Sequence, residues 1–345
     1  MPRRKIAICG AGRMARVRGR AFLDTGRVEI CGVASRRVET ARRCAEDLGC
    51  EVYFDDFRRL AETRPDAVLI EVPHGVQDEM ALWALETGFD LLIGGSLASS
   101  LENGFKILDL AAGHRRIVEA GFQRRYDPAW EELRRLIADG VLGEPVMATS
   151  MALWKPDPQS WYYDQQMSGG MPLTHLSYCY LNAMRWILGK PSTVAAVANR
   201  KRETSPGRVS EETCGVLLGF ENGAFASATA SYLGPEGMTN AGTRFVCTEG
   251  GVQPNEENAP GTVSLTVFQG GRSEVRVFNN EPSPVVRQAE AFLNAIETRD
   301  EARNPPEDAL IDVQVAEAVS LSAREHRTIS LKDNDDQRPS VGHQG

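Results

Sequence analysis

The feature that most constrains this chain is a regular alternation of short apolar runs and amphipathic segments over its first 122 residues. Lys5-Ile-Ala-Ile-Cys9 reads as a buried strand, and the stretch that follows the Gly10–Ala15 turn, to about Leu23, as a helix. Val28–Ala34 is a second strand, and Val38–Leu48 an Ala/Arg/Glu-rich helix stopped by Gly49. Ala67–Val72, ended by Pro73, Phe89–Ile93 and Ile117–Phe122 are further strands, with helices over Gln77–Glu86 and Leu101–Ala112 between them. Strands and helices alternating at this spacing predict a parallel, doubly wound α/β sheet.

Ligands bind at the carboxyl edge of such a sheet. The first strand runs into Gly10-Ala-Gly12-Arg-Met-Ala15, a G-x-G-x-x-A turn that opens a helix. The first glycine permits a tight turn, the second lets backbone approach a pyrophosphate, and the small third residue lets helix and strand pack closely. The phosphates then lie at the helix amino end, which points to Gly10, Gly12, Arg13 and Met14 as cofactor-binding residues. An NAD site has an acid near the end of the second strand for the ribose hydroxyls. Here that strand ends Val33-Ala34-Ser35-Arg36-Arg37, with no acid after Glu29. Ser35 can donate to a phosphate, and Arg36 or Arg37 can supply charge and fork geometry. The reading favours NADP over NAD. The competing reading makes the two arginines solvated residues that open the next helix.

The second half breaks the alternation. Asp127-Pro128 opens a helix to Asp139, Val146–Trp154 is strand-like, and Leu173–Leu188 is a helix. Alternating β-rich runs follow at Thr193–Asn199, Thr213–Phe220, Ala224–Tyr232, Arg244–Thr248, Thr262–Phe268 and Glu274–Phe278, with a hairpin turn at Glu221-Asn222-Gly223. Two helices, Val285–Glu297 and Glu307–Glu325, and a strand Thr328–Leu331 close the domain. The expected organisation is a dinucleotide-binding domain over 1–122, an α+β domain with an open, largely antiparallel sheet over 123–331, and a disordered polar tail over 332–345.

Composition narrows the partners. Forty-seven acids against 39 basic residues give a net charge of -8, which weighs against a nucleic-acid binder. No apolar run approaches the ~18 residues of a membrane span, and no signal peptide is visible. The seven cysteines form no C-x-x-C pair and fit a reduced, cytoplasmic protein. The five histidines are dispersed, and no metal-ligand spacing is present.

The order of these motifs resembles the Gfo/Idh/MocA oxidoreductase family over nearly the whole chain. The stretches that carry it are ICGAGRMA, Val72-Pro73-His74, GFQRRYDP, LGEP, SGGMPLTHLSYCYLNAMRWILG, TRFVCTEGG and the two-helix ending. The resemblance implies a Rossmann domain, NAD(P)-linked oxidation or reduction of sugars, cyclic polyols, dihydrodiols or related carbonyl compounds, and a homodimer or homotetramer assembled through the C-terminal sheet. It also places Pro73, His74, Gly94 and Gly95 beside the cofactor.

The departures concern the acid/base set. The family carries Glu-Lys-Pro after the fifth strand, with the lysine reaching the reacting oxygen; Gly94, Gly95 and Ser96 stand there in this chain. An Asp and a His four residues apart on the long helix of the second domain correspond to His175 and Cys179. Gln77 stands where a histidine is common. Hydride transfer to a carbonyl needs a proton donor, and His175 is the first candidate because its ordinary pKa lies near neutrality; the competing reading is a helix histidine satisfied by backbone. Lys155 and Tyr163, in the aromatic segment before Gly169-Gly170, are the other candidates, unless that loop folds on its own domain. Two functions follow: an NADP-dependent oxidoreductase with an altered acid/base set, or a non-catalytic NADP-binding sensor, regulator or partner subunit. A non-redox enzyme that retains the cofactor is a variant of the first.

Overall fold

The computed structural model describes residues 3–202, 208, 211–235, 238 and 242–331; the expected disordered tail lies outside these. Its N-terminal sheet has six strands, β1 (Arg4–Cys9), β2 (Val28–Ala34), β3 (Tyr53–Phe54), β4 (Ala67–Ile70), β5 (Asp90–Ile93) and β6 (Val118–Ala120), in the order β3-β2-β1-β4-β5-β6. Every pairing is parallel. The helices α1 (Arg13–Asp24), α2 (Val38–Asp47), α3 (His74–Thr87) and α4 (Leu101–His114) make the crossovers. This is the doubly wound sheet that the alternation predicts, and the strand order reverses between β1 and β4, where ligands of such sheets bind. β3 is absent from the sequence reading because two residues carry no period. The helix read as starting at Gln77 starts three residues earlier, at His74, with Pro73 as its N-cap.

After α5 (Pro128–Ala138), capped by the Asp127 carboxylate on the Ala129 N–H, the chain builds a nine-stranded sheet. Its strands are β7 (Pro145–Leu153), β8 (Pro191–Asn199), β9 (Thr213–Phe220), β10 (Phe225–Ser231), β11 (Gly242–Cys247), β12 (Gly250–Pro254), β13 (Thr262–Gln269), β14 (Arg272–Asn279) and β15 (Ile329–Ser330). Neighbours run antiparallel except β7 and β10, which pair in parallel. Gly223, at φ 86°, closes the expected β9–β10 hairpin. β12 goes unseen in sequence because its Gly-Gly start and final proline weaken the strand signal.

Between β7 and β8 lie a short helix, α6 (Gln165–Ser168), and a long one that differs from its expected form. Pro172–Leu181 is a π-helix and only α7 (Asn182–Leu188) is α-helical. The wider π turn brings residues five apart together: the rings of His175 and Tyr180 lie 6.0 Å apart.

The last helices, α8 (Pro284–Thr298) and α9 (Pro306–Glu325), return to the first sheet. Phe292 of α8 meets Phe22 of α1 edge-on at 6.1 Å, and Ala309 and Val313 of α9 join the core under β4 and β5. α9 also holds the end of the π-helical run. Its Asp312, 1% exposed, accepts from Asn182 at 2.7 Å and from two nitrogens of Arg185 at 2.8 and 3.1 Å. Asp312→Ala removes two of the Arg185 hydrogen bonds and the acceptor of the Asn182 amide, while Asp308 still accepts from the guanidinium at 2.7 and 3.0 Å. It is expected to cost about 1.5–3 kcal/mol, read as a lower urea midpoint at unchanged slope.

Candidate active site

The turn after β1 has the form a dinucleotide needs. Gly10 sits at φ 110°, and a Cβ there would meet the Glu71 carbonyl carbon at 2.7 Å and Val72 Cγ1 at 3.2 Å, so only glycine fits. A Cβ on Gly12 would meet nothing within 4 Å, which leaves the approach to the helix amino end open. α1 has neither a side-chain cap nor an acid in its first turn, so its first amides, those of Arg13 and Met14 among them, keep the positive end of the helix dipole available to phosphate. Ser35, Arg36 and Arg37 follow β2. Both arginines are exposed and make no ion pair among the described residues, because Glu39, the nearest acid in sequence, is held by Arg42 and Arg43.

The space vacated at Gly94 and Gly95 is filled by other residues. A Cβ on Gly94 would fall into the carboxylate of Glu71. A Cβ on Gly95 would fall into the imidazole of His74, against Cε1, with Nδ1 at 2.8 Å and Nε2 at 3.0 Å. Glu71 in turn is paired at 2.6 Å with Arg18, and both are buried. Arg18 also donates to the Gly121 carbonyl at 2.8 Å, to Gln123 Oε1 at 3.0 Å and to Gln288 Oε1. Gln77 fixes the rest of the turn by donating to the Ser96 carbonyl at 2.7 Å, while its Oε1 lies 3.2 Å from His74 Nδ1.

Aromatic side chains bridge this turn to the second domain. His74 meets Trp161 at 5.9 Å, Trp161 stacks on Tyr162 at 4.0 Å, Tyr162 meets Trp154 at 4.6 Å, and Trp154 stacks on His175 at 5.1 Å and 15°. Tyr178 joins from the π-helix, 6.2 Å from His74, its hydroxyl in reach of Gln123 Oε1 at 2.7 Å and the Gly121 carbonyl at 3.1 Å. Burial pushes both histidines down to about 4, helped at His175 by Arg124, so both are neutral near pH 7. The structure thus gathers Pro73, His74, Gly94, Gly95 and His175 along one ring-lined seam. Tyr163 is buried in the second core, 5.5 Å from Tyr232. Lys155 is exposed after β7 and makes no ion pair among the described residues. The side chain of Cys179 lies outside the described atoms.

Sequence reading missed Arg18 and Glu71. The signals were present: an arginine on the inner face of α1 and a carboxylate at the end of an otherwise apolar strand. A second buried carboxyl, Glu119 on β6, backs the seam. Its Oε1 accepts from Tyr126 and Gln288, each at 2.7 Å, and from Asn304 at 3.2 Å.

This fold and turn define a dinucleotide-binding oxidoreductase. The chain belongs to the Gfo/Idh/MocA family. A family model described as an oxidoreductase family with an NAD-binding Rossmann fold matches residues 4–122, and one described as the family's C-terminal domain matches residues 130–253. D-glucoside 3-dehydrogenase of Escherichia coli (strain K12) is 23% identical, over 95% of this chain and 97% of that protein. D-xylose 1-dehydrogenase (NADP(+)) 2 of Haloferax volcanii is 26% identical, over 88% and 92%. The structure of a levoglucosan dehydrogenase in complex with NADH and L-sorbose has the same fold, with a TM-score of 0.85 at 19% identity over 96% of this chain and 99% of that one.

Burial pushes the Glu119 carboxyl up from 4.5 to about 7, against the pull of its three donors. Between those values the folded chain holds a proton that the unfolded chain lacks, so this group makes stability fall as pH rises through that window. Glu119→Gln keeps the shape of the neutral acid. It is expected to match the parent near pH 5 and to exceed it at pH 8 by about 1–3 kcal/mol, read by urea unfolding at both pH values.

Proposed function

We propose that this chain is an NADP-dependent dehydrogenase of a sugar or cyclic polyol. The observation that carries the reading is the seam itself: stacked rings and two neutral histidines at the carboxyl edge of a Rossmann sheet, continuous through Glu71 with the glycine turn at Gly10. Flat aromatic faces suit the C–H faces of a ring-shaped substrate. The named relatives support the class, since they act on a glucoside and on xylose. When bound, the nicotinamide supplies a two-electron hydride acceptor. The chain's part is to hold the phosphates at Gly10, Gly12 and the α1 amides, to seat the substrate on Trp154, Trp161 and Tyr162, and to offer His175, stacked on Trp154, to a substrate hydroxyl other than the reacting one.

The preference for NADP rests on Ser35, Arg36 and Arg37, which stand where an NAD site has an acid. One named relative is an NADP(+) enzyme, whereas the levoglucosan dehydrogenase structure holds NADH. NADP+ is expected to raise the melting temperature more than NAD+. Arg36→Ala with Arg37→Ala should erase that difference by weakening NADP+ binding about tenfold or more. Equal shifts in the parent overturn the preference. A panel of aldoses, glycosides and inositols with either dinucleotide then tests the reaction. Dinucleotide binding with no turnover on the panel would replace the dehydrogenase by a nucleotide-binding sensor or partner subunit, or by a non-redox enzyme.

A cytoplasmic setting is part of the proposal, supported by the free thiols of Cys9, Cys31, Cys44, Cys50, Cys214 and Cys247. Among the described residues no helix is long and apolar enough to cross a membrane. A homodimer or homotetramer is supported by the outer face of the second sheet. There Val197 and Val277 are 70% and 63% exposed, and Leu217, Phe225, Val246 and Phe268 are exposed beside them. Leu217→Glu with Val277→Glu is expected to reduce the light-scattering mass to that of one chain; a parent that is already monomeric removes this part of the proposal.

A further inference from the structure

We infer that His74 is the catalytic proton-transfer residue of this site, its imidazole occupying the path of the side chain that residue 95 lacks. The inference deepens the dehydrogenase reading and rests on it. A side chain at residue 95 would have to leave the backbone through the His74 ring. The glycine is therefore a requirement of the histidine, and the β5 turn and the start of α3 have exchanged which of them fills this point.

The hydrogen bonds set the tautomer. Gln77 donates its amide N–H to the Ser96 carbonyl, so the oxygen of that amide faces His74 Nδ1. An amide oxygen only accepts, and Nδ1 must carry the hydrogen. Nε2 is then the lone-pair nitrogen, and among the described residues nothing hydrogen-bonds it. His74 is 7% exposed, and its Nε2 is not sealed from solvent. Few charges face it. The Arg18–Glu71 pair lies behind Gly94, the Tyr178 hydroxyl is tied to the β6 turn, Trp161 covers one edge, and Asp78 of α3 is bound to Ser99 and Asn103. The low pKa of about 4 keeps the ring neutral and ready to accept at working pH.

In oxidation of a secondary alcohol, the substrate O–H bond breaks and its proton passes to Nε2. The O–H electron pair becomes the carbonyl π bond as the C–H pair leaves as hydride to the nicotinamide dinucleotide. In reduction the imidazolium returns the proton. Gln77 holds the ring in place through both directions and is a positioning residue.

The test uses the full chain with a substrate and dinucleotide from the panel. His74→Gln is expected to lower kcat by about 100-fold or more and to remove the acid-side inflection of the kcat/KM profile, with dinucleotide affinity changed less than about threefold. Gly95→Lys alone should fail, because its Cβ overlaps the ring. Gly95→Lys with His74→Ala should regain at least about tenfold over His74→Ala, with its inflection moved toward the range of a lysine. A His74→Gln enzyme with near-parental kcat, or with an unchanged inflection, overturns the inference while leaving the dehydrogenase reading intact. Loss of all turnover in the parent overturns both. Nitrogen-detected NMR of the imidazole gives a readout independent of turnover: an Nδ1–H, bare-Nε2 tautomer supports the assignment, and the opposite tautomer overturns it.

Discussion

The buried pair of Arg18 and Glu71 is the interaction around which this site is arranged. Arg18 comes from α1, Glu71 from the end of β4, and the same guanidinium reaches the backbone of the β6 turn, Gln123 and Gln288 of α8. Removing two charges from water is costly, and such pairs are rarely retained for stability alone. Here the pair has a geometric consequence. The Glu71 carboxylate lies where a side chain on Gly94 would begin, so the turn after β5 can approach β4 only as glycine. His74, three residues further on, does the same to Gly95.

The family's usual arrangement sends side chains out of the β5 turn into the cleft. This chain sends them in from the β4 end and from the first turn of α3. The cleft then meets a wall of rings, Trp161, Tyr162 and Trp154, that ends at His175 on a π-helix. The π turn matters because it aligns residues five apart, bringing Tyr180 to His175 while Tyr178 faces the first domain. Both histidines are neutral because rings rather than carboxylates surround them.

Much of the fold was legible because the period of an apolar pattern reports which face is buried. The parallel sheet and the two closing helices follow from that period, and the turn at Gly10 and the β9–β10 hairpin from glycine and asparagine at fixed positions. β3 and β12 were not legible, the first too short to show a period and the second interrupted by Gly and Pro. The π-helix was also hidden, since apolar spacing over Leu176, Leu181 and Met184 does not separate a π turn from an α turn. At the site, the missing lysine was visible as Gly94-Gly95, but its neighbours were not. Glu71 read as one polar residue in an apolar strand, and His74 as a residue beside the cofactor rather than as the one that fills the space at Gly95.

By itself the sequence determined the class of this protein: local periodicity and a glycine spacing are properties of neighbouring residues, and they suffice for a Rossmann domain followed by a mixed sheet. What fills the space beside two glycines was decided only in three dimensions. Residue 71 lies 23 positions before residue 94, and His74 lies 21 before Gly95, yet the parallel pairing of β4 with β5 places their ends side by side. Contacts of that kind are set by strand register and packing, so the exchange of side chains between the two turns is invisible until the sheet is formed.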